Sequence, residues 1–437
     1  MKPVFILILF PIFCCAWQKV IWQWKEQAQD FLSNPWRQSR VPQFILDARH
    51  PWIVENQKKL EQLPDVESYL CLSSQVSTAD SDIVPKVVEN GLQIPPDLFD
   101  YLEIDNNRCS RPGWPNALMR AQEINGCPAA LSQVKQFKTS IFVHDSKYSD
   151  TAMKMLEPSR PSPELVDLFA DVLGNMTSLD SLTWSIPPAY IKFFEKRFID
   201  RGLVLPSVKT LEIDRGHHFL VPMCSNITNL EYGGKYPWQY NSSPNEDPES
   251  LLLRSTMSAP NITRLGMVAG WRWDHSQVQE VVSYLPGLES FGMRGELKSR
   301  YRYSSFNHDF DYSDGSTLGE ILQILGSLQN LTQLDLPPAW DLDVGFDGGP
   351  GCGNAYFGPG GRNYQRDVYR QSLEAIERAA AIVVKVLPSL TGFSIGNTPA
   401  NITRYGNGTA RASFPWTGRI FDYVMEEMPG GPDGPDW

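Results

Sequence analysis

The sequence predicts an α/β repeat fold in which each unit contributes one helix and one strand, and three observations lead there. A strand pattern, apolar-x-x-apolar-x-apolar, recurs seven times between Leu179 and Ile395. Amphipathic stripes at helical spacing precede the better copies. Between stripe and strand stands Leu-Pro or Leu-Gly with a small turn residue, which ends a helix and releases the chain as a strand.

In chain order, residues 1–16 read as a signal peptide. Lys2 gives a charged start, Val4 to Phe13 an apolar run, and Cys14-x-Ala16 the small residues a signal peptidase inspects, with cleavage after Ala16. A membrane anchor is the competing reading, but a span needs about 20 apolar residues. Gln18 and Lys19 close this run too early. A buried N-terminal helix is the third. Residues 17–160 read as a cap and irregular early repeats. Val20, Trp24, Ala28 and Phe31 keep helical spacing, and Lys59 to Leu72 reads as a helix end, a turn and a strand. Ile94 to Leu102 reads as a helix start, and Leu131, Val134 and Phe137 as a weak repeat running into Ile141 to Val143.

Residues 161–400 carry the firm repeats. Leu165, Leu168, Phe169 and Val172 stripe a helix, and Leu179, Leu182, Trp184 and Ile186 a strand. The strand triplets that follow are Val208, Leu211, Ile213; Ile227, Leu230, Tyr232; Ile262, Leu265, Met267; Leu288, Phe291, Met293; Leu331, Leu334, Leu336; and Leu390, Phe393, Ile395. Helix stripes stand at Val278, Val281, Val282, Leu285, at Leu318, Ile321, Leu322, Leu325, and at Leu373, Ile376, Ala380, Val384, Leu387. Residues 401–437 form a C-terminal extension. Asn401 to Tyr405 echoes the repeat too soon after Ile395 to be a unit, and the segment from Pro429 has the composition of a disordered tail.

This pattern resembles the leucine-rich repeat, and among such proteins it is similar to the irregular, F-box-associated kind common in fungi. The resemblance covers at least residues 165–396 and implies a solenoid with a parallel sheet on its concave face. The chain departs from those relatives at its front, where a signal-like segment stands and no F-box is recognisable. Equivalent central residues lie 29, 19, 35, 26, 43 and 59 positions apart, against a usual period of about 20–29. The excess falls at Tyr232 to Ser250, Gly295 to Ser316 and Pro337 to Gln371, each after a strand and before a helix, so the insertions share one edge.

Charge and compartment narrow the partners. Against 39 basic residues stand 50 acidic ones, a net charge of −11, which is the wrong sign for neutralising phosphates and excludes nucleic acid as an expected partner. Seven sequons, at Asn175, Asn226, Asn241, Asn261, Asn330, Asn401 and Asn407, suit a secreted glycoprotein. The other reading is that Asn226, Asn261 and Asn330 hold one equivalent turn, where Asn followed by a strand Thr makes a sequon without a glycan. Five of the seven cysteines follow the predicted cleavage; Cys109 and Cys127 are the expected disulfide by proximity, and scattered thiols the alternative.

Motifs for chemistry are imitated rather than met. Gly392-Phe-Ser394-Ile-Gly396 matches a nucleophile elbow in letters, but Phe393 and Ile395 occupy buried strand positions, so Ser394 should face the open side. Asp309, Asp311 and Asp314 with Glu320 imitate a calcium loop that lacks its central glycine, and Thr317-x-x-Glu320 reads as a capping box. The glycine run from Gly345 to Gly361 reads as a loop, ten residues short of a helix expected after Gln371. His217-His218 reads as a solvated loop, and paired carboxylates such as Asp341 and Asp343 as loop residues. No catalytic residue, metal or cofactor is assigned.

The expected function is therefore binding, of a protein or a glycan. Thr183, Glu212, Asp214, Glu231, Arg264, Glu289, Arg294 and Asp335 alternate with the buried strand residues and would line the open face. On the insertion edge Trp238, Trp271, Trp273, Tyr301, Tyr303 and Trp340 are expected as aromatic anchors. Packing of the loops is the equal alternative for them. Two other function classes stand beside this one: an intracellular F-box-like adaptor, and a hydrolase with its site on the insertion loops.

Overall fold

A computed structural model of the chain describes residues 50–60, 62, 95, 97–105, 113–141, 160–233, 247–268, 272–297, 315–349, 360–406 and 408–428. The predicted signal peptide, the 17–36 helix, Trp238, Trp271, Tyr301, Tyr303, Asn241, Asn407, Cys109 and Asp309 to Asp314 lie outside them. The chain divides into two compact units, Met1–Ser207 and Val208–Trp437.

The first unit carries α1 (Pro51–Leu60), β1 (Tyr101–Asp105), α2 (Gly113–Asn125), α3 (Pro128–Gln133), β2 (Gln136–Ser140), α4 (Pro163–Asn175), β3 (Ser181–Ser185) and α5 (Ile191–Asp200). Its three strands pair in parallel in sequence order. Within the span Ile94 to Leu102, expected as a helix start, residues 97–99 form a turn and Tyr101 and Leu102 already belong to β1, where Leu102 and Ile104 are buried at alternate positions, the period of a strand. Ser162 accepts a hydrogen bond from Leu165 N–H and starts α4. On α4 the buried stripe is Leu165, Val166, Phe169, Ala170, Val172 and Leu173; the expected Leu168 is only half-buried. Behind the strands Phe169, Trp184, Phe194 and Phe198 meet edge to face at ring separations of 5.3–6.0 Å, the geometry that aromatic quadrupoles favour.

The second unit carries β4 (Thr210–Ile213), β5 (Asn229–Tyr232), α6 (Pro248–Ser255), β6 (Arg264–Val268), α7 (His275–Tyr284), β7 (Ser290–Arg294), α8 (Ser316–Leu325), β8 (Gln333–Leu336), α9 (Gly361–Val386), β9 (Gly392–Ile395) and β10 (Thr398–Pro399). A hairpin, β11 (Asn401–Arg404) and β12 (Ala410–Ser413), and then α10 (Ile420–Glu427) follow. Strands β4 to β9 pair in parallel and β10 closes antiparallel on β9. All of the strand residues expected inside are buried, from Leu179 to Ile395. Each such Leu, Ile or Phe is worth roughly 1.5–3 kcal/mol of transfer free energy.

One turn is used over and over. Met176–Leu179, Cys224–Ile227, Ala259–Ile262, Leu285–Leu288, Leu328–Leu331 and Leu387–Leu390 each close with the last N–H donating to the first carbonyl. Both ends of each turn are buried, and the two residues between them, exposed in every turn but for half-buried Asn226, swing the chain into the strand while the core stays continuous. The next strand then starts on a shared carbonyl: Lys209, Thr228, Thr263, Glu289 and Thr332 each accept two successive N–H groups from the following unit. Threonine hydroxyls reinforce this line, with Thr228 donating to Lys209 O, Thr332 to Glu289 O and Thr391 to Thr332 O. Threonine two places after Asn226 and Asn330 thus has a structural reason of its own.

Three expectations in this unit are corrected. Helix α9 begins at Gly361, immediately after Gly360 in a left-handed conformation, so residues 362–371 are helix and do not separate the glycine run from it. The capping box at Thr317 is absent: Gly315, at φ +78°, precedes the helix, and buried Thr317 donates instead to Asp343 Oδ2 at 3.1 Å. The left-handed φ explains the glycine, and a Cβ there would also have to displace the tip of the Ile382 side chain of α9. The stripes shift slightly, since Val383 is buried where Val384 was expected, and Val282 is only half-buried.

Candidate functional site

Alternation along parallel strands brings one residue from each unit into a line across the open face. In register, Glu212 lies beside Glu231, then Gly266, Gly292, Asp335 and Ser394. The two glycines put no side chain into the middle strip, where Gly266 is buried and Gly292 half-buried. Glu231 leans over the first of them, so that a Cβ on Gly266 would meet its carboxylate, whereas a Cβ on Gly292 would make only ordinary contacts. Asp335 bounds the strip on the far side. With strands about 4.8 Å apart, β6 to β8 span roughly 10 Å.

Charge is concentrated at the edges of this strip. Arg294 Nη2 lies 3.2 Å from Glu231 Oε2, and Ser394 Oγ donates to Asp335 Oδ1 at 2.5 Å. Burial pushes the Glu231 carboxyl above its ordinary value; Arg294 opposes that, and Glu212 and Asp335 add to it. The arrangement offers carboxylate acceptors on either side of the half-buried Gly292, which suits hydroxyl or cationic donors on a ligand.

The expected site residues divide. Glu212 and Arg294 lie on the open face and are exposed, and Asp214 is half-buried with its carbonyl accepting from His217. Trp340 is 51 % exposed on a 3-10 turn and packs over Gly348. Trp273 is corrected: it is wholly buried, its Nε1 donates to Arg294 O at 2.8 Å, and its ring meets Phe291 edge on. It supports the open face from below and presents nothing to a ligand. Asn175, Asn261, Asn330 and Asn401 are exposed and Asn226 half-buried. Cys127 is disulfide-bonded, and Cys224 is a buried free thiol whose pKa burial pushes up to about 12.

His217 is also corrected. It is buried, its Nδ1 lies 3.0 Å from Asp214 O, and burial lowers its pKa to about 4. Beside it lies a polar group that sequence reasoning missed. Arg215 Nη2 lies 2.6 Å from Glu249 Oε1, with both side chains buried, and Tyr232 Oη donates to Pro248 O. The available signal was the alternation of β4, since carrying Leu211 and Ile213 one step further places Arg215 on the inner face. Burial raises Glu249 to about 7, helped by Asp247 and opposed by Arg215.

The chemical motifs are likewise placed. Phe393 and Ile395 are buried and Ser394 faces outward, and Gly396 at φ +60° turns the chain into β10 rather than into the helix an elbow requires. Glu320 meets His275 Nε2 at 2.7 Å, joining α8 to α7. Among the described residues no group of three or more His, Cys, Asp or Glu side chains could hold a metal ion, and no helix is long and apolar enough to cross a membrane. No protein-family model matches the chain, and no curated protein does.

Proposed function

We propose that this is a secreted, non-enzymatic leucine-rich-repeat protein that binds a protein or a glycan on the open face of its strands. One observation carries the reading: Glu212, Glu231, Asp335 and Ser394 line up across six consecutive parallel strands, with Glu231 covering Gly266, half-buried Gly292 left between Glu231 and Asp335, and Arg294 beside Glu231. A repeated helix, turn and strand with one shared carbonyl line supports the repeat assignment. Carboxylates and a serine hydroxyl on a solvent-facing sheet are recognition chemistry for sugar hydroxyls or basic side chains.

Screening the purified protein on a glycan array and an array of extracellular domains tests the face. Gly292→Leu puts a side chain in the middle of the line at a position where its Cβ meets only ordinary contacts. It should weaken any specific binder at least about tenfold while leaving the unfolding midpoint near that of the wild type. Binding unchanged by Gly292→Leu and by Glu231→Gln would overturn the proposal. The compartment is tested separately: a mature N-terminus at Trp17 and a mobility shift on endoglycosidase treatment are expected, and a chain that begins at Met1 with no shift would overturn secretion.

A further inference from the structure

A second surface lies in the same unit, away from the strands of the open face. A groove of about 610 Å³ runs between α9 and β12, with Ala380, Ala381, Val384 and Pro388 on one wall and Gly408 to Ala412 on the other. No β11 residue lines it, so it follows the outer edge of β12.

That edge is open. Tyr405 N–H donates to Thr409 O, which fixes the parity of the hairpin. With that parity and the register of the hairpin, 403–411 and 401–413 take the bonded positions, and Ala410 and Ala412 turn their N–H and C=O groups outward. Neither residue finds another backbone partner among the described residues. Natural proteins usually cover or blunt such an edge.

The walls specify what fits. The helix side is small and apolar, and Ala381 is exposed beside Val384. Two cations flank the trough, Lys385 and Arg411, both exposed and without an ion-pair partner among the described residues, in a chain whose net charge is −11. The carboxylate on the groove, Glu377, is taken up by Thr417 Oγ1 at 2.8 Å.

We infer that β12 and α9 form a docking site for an extended acidic segment of a partner protein, which adds to the hairpin as a third strand. Backbone bonds to Ala410 and Ala412 hold it. Its helix-facing side chains are apolar and lie on Ala381 and Val384. Its outward side chains are acidic and meet Arg411, with Lys385 at the end of the trough.

The probe is a fluorescein-labelled heptapeptide that alternates Asp or Glu with Val, read by anisotropy against the full chain. Its comparisons are the same peptide with Lys in place of the acids, and the acidic peptide N-methylated along one edge. The acidic peptide should bind, and both comparisons should bind at least about tenfold more weakly. Ala412→Pro removes an N–H that points away from β11, a position where proline is tolerated in an edge strand. It should weaken binding by a similar factor with an unchanged circular dichroism spectrum. Lys385→Glu with Arg411→Glu should reverse the preference toward the Lys peptide. Equal affinity for the N-methylated peptide, or no binding by ~1 mM, would overturn strand addition. A dimer in sedimentation that Ala412→Pro dissociates would also overturn it, in favour of a second copy as the occupant.

Discussion

Two Arg–Glu pairs lie on opposite faces of the second unit, and their surroundings give the same two functional groups different roles. On the open face Arg294 and Glu231 are 3.2 Å apart with side chains 61 % and 34 % exposed. On the inner face Arg215 and Glu249 are 2.6 Å apart with side chains 6 % and 2 % exposed. Water screens the first pair, so it contributes little to folding and remains able to exchange Glu231 for a ligand. The second pair has surrendered its hydration, and each charge depends on the other. It joins the end of β4 to the first turn of α6, and Tyr232 and Asp247 complete the junction through Pro248 O and the helix cap.

The largest effect expected from this contrast is at the inner pair. Glu249→Ala leaves Arg215 charged and buried, and should lower the unfolding free energy by about 3–5 kcal/mol. Replacing both partners, Arg215→Met with Glu249→Leu, should recover most of that loss, because an apolar pair carries no desolvation penalty. Urea titrations read both. A loss below about 1 kcal/mol for Glu249→Ala, within the range of ordinary surface substitutions, would mean that the inner pair does not hold the junction.

A smaller effect separates the buried groups by pH. Glu249 titrates near 7 in the folded chain against an ordinary 4.5, so between those values the folded state holds the extra proton and stability falls as pH rises. His217 titrates near 4 against an ordinary 6.5, so over its window the unfolded state holds the extra proton and stability rises with pH. The two slopes oppose each other between about pH 4.5 and 6.5. Glu249→Gln should therefore leave stability that increases from pH 4 to 6.5, and His217→Gln stability that decreases from pH 4.5 to 7. Parallel profiles for the two variants would show that these groups do not govern the pH response.

The inner and outer faces also differ in how far the sequence disclosed them. Every strand position expected to be buried, from Leu179 to Ile395, is buried, because a period of two in a helix-turn-strand unit leaves one solution for apolar residues. The same alternation placed Glu212, Glu231, Arg294 and Asp335 outward. The register of Gly266 with Gly292 follows from it as well, since they stand directly after the equivalent residues Leu265 and Phe291, but nothing in the pattern shows that Glu231 covers the first of them. Trp273 shows the opposite failure. An aromatic beside an insertion reads as an anchor, yet an isolated bridge to Leu297 draws it under Arg294 and into the core. The start of α9 was missed because Gly360 and Gly361, counted as loop, are the helix start itself. Open edges such as that of β12 have no residue signature, since backbone groups belong to every residue alike.

The smallest effect expected is at the outer pair, and it tests whether the open face acts as one electrostatic unit. Arg294→Ala should change the unfolding free energy by no more than about 1 kcal/mol, as for other exposed pairs, with less change at high salt. Its consequence should appear instead in the titration of Glu231. Burial already lifts that carboxyl, Glu212 and Asp335 push in the same direction, and Arg294 is the opposing charge. Without the guanidinium, the Glu231 carboxyl should titrate higher still, which carbon-13 NMR of the side chain can follow. If the Glu231 titration does not move, Arg294 does not set the charge state of the open face, and the row of acids behaves as independent surface groups. If it moves while stability does not, the pair tunes the open face for a ligand without contributing to the fold beneath it.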